Sequence, residues 1–307
     1  MRPRIAIVGA GGGVGSSVAF NLLLADAPYA ITLVDGRSGM ATSHEMDLQQ
    51  VVAAGAHGSV DIVELGAVAE SDVVVVSAAT PLTVNRSRAV YLHDNAAIVR
   101  SVVDALPEGW PGAVVMVTNP VDALVTWLTR LRPGLRVVGY TANDGLRLRT
   151  AVGRLLGVPP ATVDAWVLGE HGDRCVPLLS RVRVDGEPVA LTAQQRAAAG
   201  DFVRSWYVRH VALDSGRSST WTSGHGVARM VGALLGDGEL FPASVVLAGE
   251  YGVDGVALGV PAVLGDGGVR AVETWPLDDD EARAMAAAAR AVREAADALS
   301  AARGAPR

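Results

Sequence analysis

No lysine occurs anywhere in the 307 residues; all 26 basic side chains are arginine. GC-rich coding produces such a bias by itself, yet the absence still removes every mechanism that needs a lysine amine. Cysteine is almost as scarce. With Cys175 alone, no internal disulfide can form, which fits a cytoplasmic protein. The charge balance is −6 with no basic block, so nothing in the sequence recruits nucleic acid or an anionic membrane. No apolar stretch approaches the roughly 18 residues of a membrane span. An apolar run begins at Arg4, which leaves no room for a signal peptide. No metal ligand set is expected.

Half of the residues are apolar, so a large core can be buried. The length suggests about two domains, at roughly 150 residues each. In the first half, strand patterns at Arg4–Val8, Ala30–Val34, Asp72–Ser77, Ala113–Val117 and Arg136–Val138 alternate with helical patterns near Gly13–Ala25, Gly39–Ala54, Leu92–Leu106 and Val121–Leu131. Runs such as VVVVS and AVVMV are apolar on both faces, as parallel strands covered on each side must be. The alternation predicts a doubly wound parallel sheet. After about residue 145 the pattern changes. Helices are predicted at Asp144–Leu156, Thr192–Arg209, Trp221–Leu235 and Asp278–Arg303. A strand is predicted at Val163–Leu168, and ASVVLAG with VALGVPAVLG predicts an antiparallel meander. The expected fold is α/β, an N-terminal Rossmann-type domain (1–143) followed by a C-terminal α+β substrate domain (144–307).

The stretch IAIVGAGGGVGSS joins the first strand to the first helix. Strict GxGxxG does not occur. Gly9, Gly12 and Gly15 give GxxGxxG, whereas Gly9, Gly13 and Gly15 give GxxxGxG. Either register makes a phosphate turn, in which backbone N–H groups and the helix dipole face a pyrophosphate. Asp35 ends the second strand 20 residues after Gly15, where a carboxylate accepts hydrogen bonds from an adenosine ribose and repels a 2′-phosphate. That favours NAD over NADP, with Arg37 nearby to soften the preference. The GxxxGxG register belongs to short-chain dehydrogenases, whose tyrosine acts with a lysine. This chain has none to supply.

The stretch VLGEHGDRCVP places His171 at the end of a strand, and NDGLRLR offers Asp144 to orient it. Histidine suits the proton of an alcohol undergoing hydride transfer, because its pKa lies near neutral. A carboxylate at Nδ1 fixes its tautomer. Arg147, three residues after Asp144, shares its helical face and can clamp a substrate carboxylate.

Together, GAGGGVG, LVD, EMDLQQ, NRSRAVYLHDNAAIV, VTNPVDAL, NDGLRLR and GEHGD resemble the lactate/malate dehydrogenase family over nearly the whole chain. The resemblance implies NAD-dependent interconversion of an L-2-hydroxy acid and its 2-oxo acid. It makes His171 the proton acceptor, Asp144 its partner, Arg147 the C1-carboxylate clamp and Arg88 the loop arginine that polarises the 2-oxo group. Asn119 would contact substrate and nicotinamide, though it also suits a helix cap. Ser219 would line the pocket, beside Trp221, a residue expected in the core. Gly9, Gly12, Gly13, Val14, Gly15, Asp35, Ala78, Asn95 and Val117 would surround the cofactor. Gly11 and Gly13 look like extra small residues around the turn. The resemblance also implies a homodimer or homotetramer, with Asp47 near the partner's site.

Leu82 departs from the malate-specific pattern, which has an arginine there for a second carboxylate. A monocarboxylic substrate is the simple expectation, with Arg86 as a replacement charge in a malate enzyme. The path of this loop near Val84 and Asn85 is open. Asn143 departs too, standing where the family has an apolar residue; contacts to Asp144, the substrate carboxylate or the loop are expected for it. A silent NAD-binding regulator is the alternative of another class.

Overall fold

The computed structural model describes residues 2–80 and 88–301, with the backbone alone at 88–90. The elements run β1 (Arg4–Val8), α1 (Gly13–Leu23), β2 (Ala30–Val34), α2 (Ser38–Ala53), β3 (Ser59–Ile62), β4 (Val73–Val76), α3 (Arg88–Asp104), β5 (Ala113–Met116), α4 (Val121–Leu131), β6 (Arg136–Tyr140) and α5 (Ala142–Leu156). There follow β7 (Val163–Asp164), β8 (Val167–Gly169), β9 (Cys175–Pro177), β10 (Arg183–Val184), β11 (Glu187–Pro188), α6 (Ala193–Val211), α7 (Thr220–Leu235), β12 (Glu239–Ala248), β13 (Asp254–Gly265), β14 (Gly268–Val272) and α8 (Asp279–Ala301).

Strands β3-β2-β1-β4-β5-β6 lie side by side in that order, all parallel. This is the doubly wound order, whose direction of winding reverses between β1 and β4. Val73 to Val76 are all fully buried, each stabilising the fold by roughly 1.5–3 kcal/mol relative to an exposed side chain. The sheet does not stop at β6. β12 pairs antiparallel with it, through Tyr140 opposite Ala243 and Gly139 opposite Ser244, and β13, β8 and β9 continue the sheet. A Cβ on Gly139 would stand 2.7 Å from Ser244 Cβ and 2.7 Å from Val121 Cγ2, so the bare residue lets α4 and β12 close on β6. The expected antiparallel meander is present as β12–β13–β14.

One expectation fails. The single strand predicted over Val163–Leu168 is two, β7 in a small sheet with β10 and β11, and β8 in the main sheet. Trp166 lies at the break, its indole N–H donating to Asp164 Oδ1 at 2.8 Å and its ring edge-on to Trp275. Strand β3 was not predicted, because SVDI buries only Val60. The expected division after residue 143 falls inside the first turn of α5. The end predicted for the last helix at Arg303 lies outside the described residues.

Candidate active site

The glycine turn sits where β1 enters α1. Gly9 has φ +93°, and a Cβ there would come 2.4 Å from Ala78 N at the end of β4. A Cβ on Gly15 would come 2.4 Å from Gly9 O. The turn therefore tolerates no side chain at either position. Gly12 is the N-cap of α1 and no side chain caps it, so the first-turn N–H groups of Gly13, Val14 and Gly15 have no intrahelical acceptor. Ala78 and Val117 follow the C-terminal ends of β4 and β5. Thr118 ties these ends together by donating to Val76 O and Ala78 O.

Asp35 accepts the N–H of Gly11 at 2.8 Å and both N–H and Nε of Arg37 at 2.9 and 3.2 Å. Burial alone would raise its pKa; the hydrogen bonds from Arg37 and Gly11 outweigh that and hold it below the usual carboxylate value. Gly11 is therefore no spare small residue: a Cβ there would lie 2.9 Å from Asp35 Cγ. Gly13 faces Thr220 of α7, 3.0 Å from where its Cβ would stand.

Asn95 is buried on α3. Its Oδ1 accepts the N–H of Thr80 at 2.8 Å and its Nδ2 donates to Asn119 O at 2.7 Å. The amide braces two strand ends instead of facing outward. Asn119 does not cap α4, whose N-cap position is Pro120. Its own amide makes no hydrogen bond among the described residues and is exposed.

The expected His–Asp pair forms in the part of the chain that follows β6. Asp144 occupies the first turn of α5, and His171 follows β8. His171 Nδ1 stands 2.6 Å from Asp144 Oδ2, which leaves Nε2 for a reactant. Arg147 Nη1 donates to Asp144 Oδ1 at 2.6 Å and Nη2 to Ser219 at 3.2 Å. Its guanidinium stacks 3.9 Å over Trp206, which stacks in turn on His210. Trp206 and Ser219 line, with Asn143, Leu146 and Thr222, a cavity of about 200 Å³ beside Arg147. Burial raises the Asp144 carboxyl, but His171 and Arg147 outweigh it and the net pKa is low. Burial lowers the His171 imidazole, but the charge and hydrogen bond of Asp144 outweigh it and the net pKa is above 6.5.

Asn143 does not contact the Asp144 carboxylate, and the loop lies outside the described residues. The asparagine accepts from Tyr140 and donates to Ser223, tying α5 to α7. Trp221 is not core: it is 67 % exposed, with the Arg217 guanidinium 5.0 Å above its ring. Leu82 and Arg86 lie outside the described residues, as does the path of their loop. Arg88 opens α3, and its side chain lies outside them as well. Sequence reasoning passed over Trp206 and Asp122. Asp122 was quoted within VTNPVDAL, and a lone carboxylate in so apolar a helix is the signal that it has buried partners.

A glycine turn between a strand and a helix, an acidic residue ending the next strand and a His171–Asp144 contact are the features expected of a nicotinamide-dependent alcohol oxidoreductase. Residues 3–136 match the lactate/malate dehydrogenase NAD-binding domain, and residues 141–302 the lactate/malate dehydrogenase alpha/beta C-terminal domain. The chain belongs to the lactate/malate dehydrogenase family and is an NAD-dependent 2-hydroxyacid dehydrogenase. It is 38 % identical over 286 residues to a malate dehydrogenase of Halobacterium salinarum, covering 91 % of this chain and 93 % of that one. It is 33 % identical over 311 residues to an L-lactate dehydrogenase of Lactobacillus delbrueckii, covering 97 % and 100 %. Malate dehydrogenase of Cryptosporidium parvum superposes with a TM-score of 0.90 at 28 % identity, covering 98 % of this chain and all of the other. Lactate dehydrogenase of the same organism, solved with lactic acid and nicotinamide adenine dinucleotide, gives 0.89 at 26 % identity, covering 100 % and 99 %. Among the described residues no helix is long and apolar enough to cross a membrane.

Proposed function

We propose that the chain interconverts an L-2-hydroxy monocarboxylate and its 2-oxo acid. The His171–Asp144 contact at 2.6 Å carries the acid–base part of this reading. The glycine turn and Asp35 would hold NAD, which would supply the hydride acceptor. Residues 1–143 bind it and 144–307 bring the acid–base pair. In oxidation, His171 Nε2 takes the hydroxyl proton, and Asp144 stabilises the imidazolium that results. Arg147 holds the C1 carboxylate, its plane set by Trp206 and Ser219. Arg88 would stabilise negative charge on the C2 oxygen, and Asn119 would help to hold the substrate and the cofactor.

The side chain of the substrate is read from Leu82, which cannot pair with a second carboxylate; leaving one unpaired in a closed site costs on the order of several kcal/mol. The GxxGxxG register and the malate dehydrogenase at 38 % identity favour the second reading, a malate enzyme in which Arg86 supplies that charge. Rates with pyruvate, longer 2-oxo acids and oxaloacetate separate the two. A preference for oxaloacetate above about a hundredfold, equivalent to roughly 2.7 kcal/mol, overturns the Leu82 reading. If NADH binds and no 2-oxo acid in the panel is reduced, the chain is a silent NAD-binding regulator.

The working unit is at least a homodimer. Exposed Met40 and Met46 on α2, the helix that carries EMDLQQ, support an apolar contact there. A monomer by light scattering at micromolar concentration overturns it.

A further inference from the structure

His171 is gripped by two carboxylates, and the second comes from the other half of the chain. Asp122, in the first turn of α4, is 2 % exposed. Its Oδ2 accepts the backbone N–H of His171 at 2.6 Å, and its Oδ1 accepts the hydroxyl of Ser244 at 2.5 Å. One turn further along α4, Thr126 Oγ1 donates to Asp122 O and accepts the N–H of Ala257, both at 2.8 Å. The helix is thus pinned to β12 and β13, and Asp122 stands three residues after Asn119.

We propose that Asp122 is a positioning residue for His171, holding the backbone of the histidine turn while Asp144 holds the ring, and adding its negative charge to that of Asp144. This rests on the acid–base role of His171 proposed above. A merely structural carboxylate would be an odd choice at this depth. Burial pushes its pKa up to about 6 despite the hydrogen bonds from Ser244 and His171, so an uncharged side chain would be accommodated more easily. The charged groups facing His171 are Asp144 and Arg147 from α5 and Asp122 from α4; those facing Asp122 are His171 and Glu170. When ionised, Asp122 adds to Asp144 in favouring the imidazolium.

Two variants separate charge from support. Asp122→Asn keeps both contacts, its amide oxygen accepting from His171 and its NH2 donating to Ser244. Asp122→Ala removes both. The imidazole of His171 is followed by NMR on histidine-labelled protein, its resonance identified by its loss in His171→Ala. The midpoint is expected to fall in Asp122→Asn, with kcat reduced less than in Asp122→Ala. There kcat is expected to drop about tenfold or more, as misplacement of a reacting group implies, with KM for NADH within about twofold. Parent midpoints in both variants, or parent kcat in Asp122→Ala, overturn the proposal. Should Asp122→Ala not fold, Asp122→Asn and Ser244→Ala decide it: unchanged His171 midpoints in both overturn it. The NMR readout is independent of turnover. A parent protein inert toward every 2-oxo acid therefore sinks the proposed function, while the midpoint still reports on Asp122.

Discussion

Arg147 donates to the same carboxylate that orients His171. Its Nη1 lies 2.6 Å from Asp144 Oδ1, and the imidazole lies 2.6 Å from Oδ2. The proposed substrate clamp and the proposed proton acceptor therefore share one anion. A carboxylate arriving at Arg147 draws on charge that otherwise lowers the proton affinity of the pair, so substrate binding and the protonation of His171 are coupled.

Replacing His171 by alanine tests the proton acceptor. Turnover is expected to fall by about 10²- to 10⁴-fold, the span of general acid–base catalysis, while NADH affinity stays near that of the parent. Steady-state rates and a fluorescence titration of NADH measure the two. A large loss of NADH affinity instead contradicts the role.

The sign of the pH dependence follows from the raised pKa of His171. Reduction of the 2-oxo acid needs the imidazolium, so it is retained at low pH and lost as pH rises through a midpoint above 6.5. Oxidation needs the neutral ring and rises through the same midpoint. Asp144→Asn removes the charge that raises it, so both limbs are expected to move to lower pH. Profiles of kcat/KM in the two directions check this, and unmoved limbs count against the pairing.

The stacking of Arg147 on Trp206 predicts an effect confined to substrate binding. Trp206→Leu removes a cation–π contact of roughly 0.5–2 kcal/mol, so KM for the 2-oxo acid is expected to rise about 2- to 30-fold with kcat largely kept. A fall in kcat at constant KM would point to some other function for the ring.

Asp35→Ser tests cofactor choice. The anion proposed to meet the ribose is lost while Arg37 remains, so discrimination against NADPH is expected to relax. The measurement is the ratio of kcat/KM for NADH and NADPH. An unchanged ratio rejects the ribose contact.

The parallel sheet was legible because its strands carry all-apolar runs such as Val73–Val76, and such runs have few other places to go. The His–Asp pair was legible because His171 stands beside glycines at a strand end and Asp144 stands three residues before an arginine on a helical pattern. Other features needed tertiary distances. Gly11 reads as a spare small residue until Asp35, 24 positions away, is seen against it. Asp122 meets Ser244 across 122 positions, a pairing set by the register of β12 on β6. Trp221 misled for the opposite reason: apolar identity suggests the core, and only placement on α7 shows it facing out.

The pairing of β6 with β12 carries a consequence for dissection of the chain. A fragment ending near residue 143 keeps the whole parallel half yet loses its antiparallel neighbour. Tyr140 and Gly139 would then present bare backbone along a strand edge, where another molecule can add itself. Such a fragment is expected to self-associate even where its dinucleotide turn is intact, and co-expression with the remaining residues is expected to restore solubility.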